Sequence, residues 1–187
     1  MNYLIGVDVG TQSVRSCLFD LDGAAVASAS RPLATTYPKP AWAEQDPEAW
    51  WRAAIETLQE VLQVSRVNPR EVVALSYDCT ACTVVALTED GTPLRPALLW
   101  MDERAHGEAD EVSAAGHEVL RYCGGKVSPQ WMIPKGRWLE RHEPAMFAKA
   151  RWIVDEADFF TLRLTGRMTA SLNNATAKWN YVRPLGG

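Results

Sequence analysis

The chain has 187 residues, 47% of them hydrophobic, enough to bury a core at a length that suits one domain, possibly with an appended piece. The net charge of −4 with no basic block argues against nucleic acid and anionic membranes as partners. No apolar run reaches membrane-spanning length and no signal peptide precedes the first strand pattern; the four cysteines (Cys17, Cys79, Cys82, Cys123) suit a reduced, cytoplasmic protein better than a disulfide scaffold.

Tyr3 to Val9 is an apolar run interrupted by one carboxylate, Asp8. Gly10, Thr11, Gln12 and Ser13 follow, and then a second β-rich run from Val14 to Phe19. The pattern predicts a strand, a tight turn and an antiparallel return strand. Asp8 falls at the end of a strand that reads as buried. An unpaired carboxylate is costly there, and a metal-bound water would serve as its partner. Gly10 lets the backbone approach a ligand closely, while Thr11 and Ser13 offer hydroxyls and turn N–H groups suited to phosphate oxygens. A P-loop would end in Gly-Lys-Ser/Thr, which is absent. A dinucleotide fingerprint would need Gly-x-Gly-x-x-Gly before a helix, and here a strand follows. An aspartyl-phosphate phosphatase would carry a second Asp where Gly10 stands. The bland alternative is a plain hairpin with an Asp at its turn.

Leu21-Asp22-Gly23 reads as a turn and Ala24 to Ser30 as a third strand. Pro32, Pro38 and Pro40 keep residues 31–46 irregular. Asp46 and Pro47 are a good N-cap and first helical residue for a helix running to about Val64, with Trp50, Ala54, Leu58, Val61 and Leu62 on one face. Residues 71–77 predict a buried strand, with Asp78 at its end and a return strand from Val84 to Leu87. A short strand from Pro96 to Trp100 leads into a helix from about Arg104 to Ala115. Helical pieces follow at 134–141 and 144–149, a strand at 151–154, and a helix from Asp155 to Leu164 closed by Gly166. Residues 170–181 give no clear periodicity, and Pro184 to Gly187 carry no helix or strand signal.

Cys79-Thr80-Ala81-Cys82 matches a C-x-x-C spacing, but strand signals lie on both sides, where a redox pair would want a helix at the first thiol. Zinc would need two more ligands at motif spacing, and none pair with it. Two small buried thiols are the plain reading. Trp100-Met101-Asp102-Glu103-Arg104 places an aromatic beside charge, and Asp102 and Arg104 could bond to each other. Asp102 as the N-cap of the next helix is an equal alternative. Lys178 precedes Trp179, and its aromatic neighbours suggest partial burial; a surface lysine is the alternative.

Asp8-x-Gly10-Thr11-x-Ser13 resembles the first phosphate motif of the sugar-kinase, Hsp70 and actin superfamily, in the form typical of FGGY carbohydrate kinases. Trp42-Ala43-Glu44-Gln45-Asp46-Pro47 is similar to a stretch that lies near the sugar site in that family. Residues 78–83, 100–104, 128–135, 158–166 and 175–179 follow in the family's order: 78–83, 128–135 and 175–179 resemble ribulokinase segments, 100–104 an element of pentulose and hexulose kinases, and 158–166 a segment of the family at large. The resemblance implies an α/β, RNase H-like domain: a mixed sheet opening with three antiparallel strands, and helices on both faces. It implies that residues 1–187 are the first domain of a kinase that phosphorylates a terminal hydroxyl of a ribulose- or xylulose-like ketopentose with ATP and Mg²⁺. Asp8 would position Mg-ATP and hold the metal through water. Gly10, Thr11, Ser13 and Arg15 would face the phosphates, and Asp78, Thr80, Ala81, Trp100, Asp102 and Lys178 would line the sugar. The general base, the second phosphate motif and the adenosine site are expected beyond residue 187. A homodimer is left open. The rival classes are a non-catalytic sugar-binding or assembly module of the same fold, and an actin-like or chaperone ATPase; the sugar-side matches speak against the latter.

Overall fold

The computed structural model describes residues 2–185. The strands in chain order are β1 (Tyr3–Val9), β2 (Ser13–Asp20), β3 (Ala25–Pro32), β4 (Glu44–Gln45), β5 (Val72–Cys79), β6 (Val84–Leu87), β7 (Ala97–Leu98) and β8 (Trp152–Asp155). The α-helices are α1 (Pro47–Ser65), α2 (His106–Ala114), α3 (Met132–His142), α4 (Pro144–Phe147), α5 (Glu156–Thr165) and α6 (Leu172–Lys178). They divide into two compact units. The first takes the residues up to Thr35 with Asp46–Thr80, and the second takes Thr36–Gln45 with the residues from Ala81 on.

The first unit is a four-stranded mixed sheet in the order β3-β2-β1-β5. The three N-terminal strands pair antiparallel, as their turns predict, and β5 lies parallel to β1. Alternation sets the faces: Ile5, Val7 and Val9 of β1 and Val14, Ser16 and Leu18 of β2 are buried. α1 covers this face. It starts at Asp46, whose carboxylate accepts from the Glu48 N–H at 3.0 Å, with Pro47 in its first turn. Its buried residues are Trp50, Ala53, Ala54, Thr57 and Val61. Thr57 takes a place where periodicity predicts Leu58, because its hydroxyl meets that of Ser16 at 2.7 Å and leaves no buried polar group alone.

Two expectations change here. Asp8 is not buried: it lies on the opposite face of the same alternating strand, with its side chain 53% exposed. β5 is not a buried strand either, since it forms one edge of this sheet and leaves Val73 55% and Leu75 40% exposed.

The second unit carries an antiparallel sheet in the order β4-β7-β6-β8. All four residues of β6 are buried, which accounts for its unbroken apolar run. The core gathers Cys82, Val84, Leu98, Met132, Trp138 and Leu139, with Trp42, Trp131 and Trp179 packed against it. Asp155 precedes α5 rather than starting it, and Gly166 ends that helix with φ +69° and an N–H to the Leu162 carbonyl at 2.7 Å. The segment without clear periodicity holds α6, with Ser171 at its N-cap. Residues 183–185 form a 3-10 turn; the last two glycines of the Pro184–Gly187 ending lie outside the described residues.

Candidate functional site

The residues singled out in the sequence fall into two groups. Asp8, Gly10, Thr11, Ser13, Arg15, Asp78 and Thr80 belong to the first unit; Ala81, Trp100, Asp102 and Lys178 belong to the second.

In the first unit the register does the assembling. β1 and β5 run parallel with Asp8 opposite Asp78, so one carboxylate stands near the C-terminal end of each of two neighbouring strands. On the other side Asp8 faces Arg15 of β2, whose guanidinium lies 3.9 Å from the Asp8 carboxylate. Both side chains of that pair are more than half exposed, so the contact adds little stability and leaves the charges available. Asp8, Arg15 and Asp78 edge a hollow of about 310 Å³, floored by Gly6, Cys17, Phe19 and Ser76. The turn between β1 and β2 is closed by the Gly10 N–H donating to the Ser13 carbonyl at 3.0 Å. A Cβ on Gly10 would sit 3.5 Å from Asp8 Oδ1 and 3.4 Å from that carbonyl, so glycine keeps the space beside the carboxylate clear.

No group of three or more His, Cys, Asp or Glu side chains among the described residues could hold a metal ion. A divalent cation here would therefore take one or two carboxylate oxygens from the protein and complete its shell with water and phosphate oxygens. That is the coordination Mg²⁺ prefers, so Asp8 and Asp78 fit it.

In the second unit the predicted residues part company. Asp102 is fully buried, and its oxygens are taken by the Ala43 N–H at 2.7 Å, the Arg104 N–H at 3.1 Å and the Arg104 side chain at 2.8 and 2.9 Å. Of the roles open to it, bonding to Arg104 is the one realised, and the helix it would have capped starts from Ala105 instead. Arg104 also reaches Glu44 at 2.8 Å and lies over the Trp42 ring at 3.8 Å. Glu44 in turn accepts from Arg95 at 2.6 Å. This network ties β4 to the turn after β7. Trp100, within that turn, keeps 41% of its surface exposed.

Lys178 sits at the C-terminal end of α6, half-buried, its ammonium 5.9 Å from the Trp131 ring and near enough to the Cys82 thiol to favour its ionised form. Burial outweighs that influence and pushes the Cys82 thiol up, as befits an inert core cysteine. Lys178 forms no ion pair or hydrogen bond with the described residues, so its three donors are uncommitted. A separate apolar cleft of about 560 Å³, lined by Val112, Leu120, Val127 and Ile133 among others, contains none of the predicted residues.

Sequence reasoning missed two residues here. Lys135 of α3 is completely buried and donates to the carbonyls of Cys82 at 2.9 Å and Leu99 at 2.6 Å; burial pulls its pKa down to about 8. Asp155 is also completely buried, accepts from the Cys82 N–H at 3.2 Å, and is pushed up to about 6 by burial. The signal for Lys135 lay in its spacing: Met132, Lys135 and Leu139 share one helical face, and a cation on an apolar face needs acceptors.

A parallel carboxylate pair beside a glycine turn, on an RNase H-like sheet, points to the actin and sugar-kinase class of phosphotransfer domains. Residues 3–181 match the FGGY family of carbohydrate kinases, N-terminal domain, and the chain belongs to that family. An FGGY carbohydrate kinase domain-containing protein of Xenopus laevis is 32% identical over 96% of this chain and 34% of its own length. A D-ribulokinase of Saccharomyces cerevisiae is 29% identical over 98% of this chain and 27% of its own. The crystal structure of xylulose kinase from Rhodospirillum rubrum superposes with a TM-score of 0.85 at 32% identity, over 93% of this chain and 36% of that one. The chain thus spans about a third of the length of the relatives it matches.

Proposed function

We propose that this chain is the first domain of a longer FGGY kinase that transfers the γ-phosphoryl group of ATP to a terminal hydroxyl of a ketopentose. The observation that carries the reading is the register pairing of Asp8 with Asp78 at the strand ends beside the Gly10 turn. Two hard-oxygen ligands there suit a magnesium ion that neutralises phosphate charge, and phosphoryl transfer depends chiefly on such neutralisation and on positioning. Gly10, Thr11, Ser13 and Arg15 serve the phosphate oxygens with backbone N–H, hydroxyl and guanidinium donors. Ala81, Trp100 and Lys178 serve the sugar; Asp102 acts beneath them, holding the turn around Trp100 through Arg104 and Ala43. Asp78 and Thr80 stand at the end of β5, next in sequence to Ala81. Relatives named for xylulose and for D-ribulose support a pentulose without choosing between the two. The general base and the adenosine site fall to the part of the longer protein that follows. The four free cysteines suit a reducing cytoplasm, and no helix among the described residues is long and apolar enough to cross a membrane.

The test is a screen of the full-length protein with ATP and Mg²⁺ against D-ribulose, L-ribulose, D-xylulose and a set of polyols, with ADP release as the readout. One ketopentose should stimulate release well above the sugar-free rate. Stimulation by none of them, or by polyols alone, overturns the pentulose reading.

A further inference from the structure

We propose that Lys135 and Asp155 act as a buried positioning pair that holds the Cys82 peptide in left-handed geometry and so sets the neighbouring Ala81 backbone for sugar contact. The proposal rests on the pentulose-kinase reading for its functional half.

Cys82 has φ +69°, a region that L residues with a side chain rarely adopt. A residue persists there only where its surroundings fix it. Both polar groups of Cys82 are fixed by fully buried ionisable side chains from different elements. Its N–H donates to Asp155 Oδ2 at 3.2 Å, from the end of β8. Its carbonyl accepts from Lys135 Nζ at 2.9 Å, from α3. The same ammonium donates to the Leu99 carbonyl at 2.6 Å, one residue before Trp100. The next carbonyl, that of Thr83, accepts from the Glu156 N–H at 3.1 Å, so the segment is anchored on both sides of the left-handed residue.

A buried lysine is an expensive way to fill space, since an apolar side chain of the same length would pack without desolvating a charge. Its charge is explained by the two carbonyls it gathers, one beside Ala81 and one beside Trp100. Both of those neighbours are among the residues assigned to the sugar. Neither Lys135 nor Asp155 is exposed, so neither touches a ligand; they act through the backbone they hold.

The experiment uses the full-length protein with Lys135→Met, Asp155→Ala and Asp155→Asn. KM is measured for the ketopentose and for ATP, with melting temperature and hydrogen exchange of the peptide spanning residues 80–84. Lys135→Met and Asp155→Ala should each raise the ketopentose KM by roughly tenfold or more, as expected for loss of a hydrogen bond to a charged group, and leave the ATP KM unchanged. Asp155→Asn keeps an acceptor for the Cys82 N–H and should restore both KM and slow exchange. Adding Cys82→Gly to Lys135→Met should recover part of the loss, because glycine takes positive φ without strain. Lower melting temperatures with both KM values unchanged would make the pair merely structural and overturn the proposal. If Lys135→Met fails to fold, the contrast between Asp155→Ala and Asp155→Asn decides it. Should the wild type phosphorylate no ketopentose, the kinase reading fails by itself. Exchange at Cys82 then judges the clamp, and unchanged exchange in Asp155→Ala refutes it.

Discussion

Arg104→Met should destabilise the second unit by about 3 kcal/mol or somewhat more, the lower part of the range for breaking a buried ion pair from one side. The guanidinium is fully buried, and it supplies Asp102 with hydrogen bonds at 2.9 and 2.8 Å and Glu44 with one at 2.8 Å. Glu44 keeps Arg95 at 2.6 Å after the change, so it is not orphaned. Asp102 is: its side chain is wholly inaccessible, and only the backbone N–H groups of residues 43 and 104 would remain to it. Methionine keeps much of the volume over Trp42, so cavity formation adds little. The double variant Asp102→Leu with Arg104→Met removes both charges and strands no carboxylate; what remains is the lost acceptor of the buried Ala43 N–H, about 1–3 kcal/mol, and of the longer, part-buried contact from the Arg104 N–H. It should therefore be more stable than the single variant. Urea unfolding followed by tryptophan fluorescence measures this, since Trp42 and Trp138 both lie against the guanidinium. A loss below about 1 kcal/mol in Arg104→Met, or a double variant less stable than the single, would refute the assignment of the energy to a stranded Asp102.

Lys178→Ala in the full-length protein should lower kcat/KM for the ketopentose by roughly tenfold to a hundredfold without changing the KM for ATP, while an idle surface lysine would change neither. Asp8→Asn should cut turnover by orders of magnitude with sugar affinity, measured calorimetrically, preserved; near-normal turnover would reduce Asp8 to a turn residue. Asp155, raised to about 6 in the fold, holds its proton there over a window where the unfolded chain has lost it. Its contribution to stability therefore falls as pH rises from about 4 to 6. Asp155→Asn lacks that loss, so its stability relative to wild type should improve by up to about 3 kcal/mol between pH 4 and 7; parallel pH curves would contradict it. Gly91→Ala should destabilise by at least about 1 kcal/mol in the same unfolding assay, because φ is +83° and the new Cβ would meet Leu162 Cδ2 at 2.7 Å; an unchanged midpoint would show that Leu162 yields freely.

The elements were legible where local chemistry was strong. Asp46-Pro47 fixed the start of α1, and Gly166 the end of α5, since caps act within a few residues. The β1–β2 hairpin was equally plain from its two β-rich runs and the glycine turn between them. The burial of β5 was not, because an apolar run reads the same at the edge of a sheet as at its centre, and the edge is set by partners far along the chain. α6 stayed hidden for a related reason. Only seven residues long and with no buried residue, it carries no apolar stripe to betray its period.

Residue types suggest a chemistry for the candidate site, but not which groups are exposed. Asp8 illustrates the error in one direction. A charge in an apolar run looks as though it must be buried and paired, yet alternation alone delivers it to the open face, where exposure needs no special partner. Asp102 illustrates the other direction. Beside an exposed tryptophan it looks like a ligand for hydroxyls, yet it lies beneath the surface with its oxygens already occupied. Lys178 and Lys135 complete the contrast. The two cations lie near the same thiol, one with its donors uncommitted and the other holding the backbone beside it. On the proposed reading Lys178 meets the sugar and Lys135 holds the backbone, so only removal of Lys135 should alter the ligand-free structure. A loop around Cys82 that rearranges in Lys135→Met but not in Lys178→Ala, seen by hydrogen exchange in the absence of sugar, is the outcome this division of labour requires.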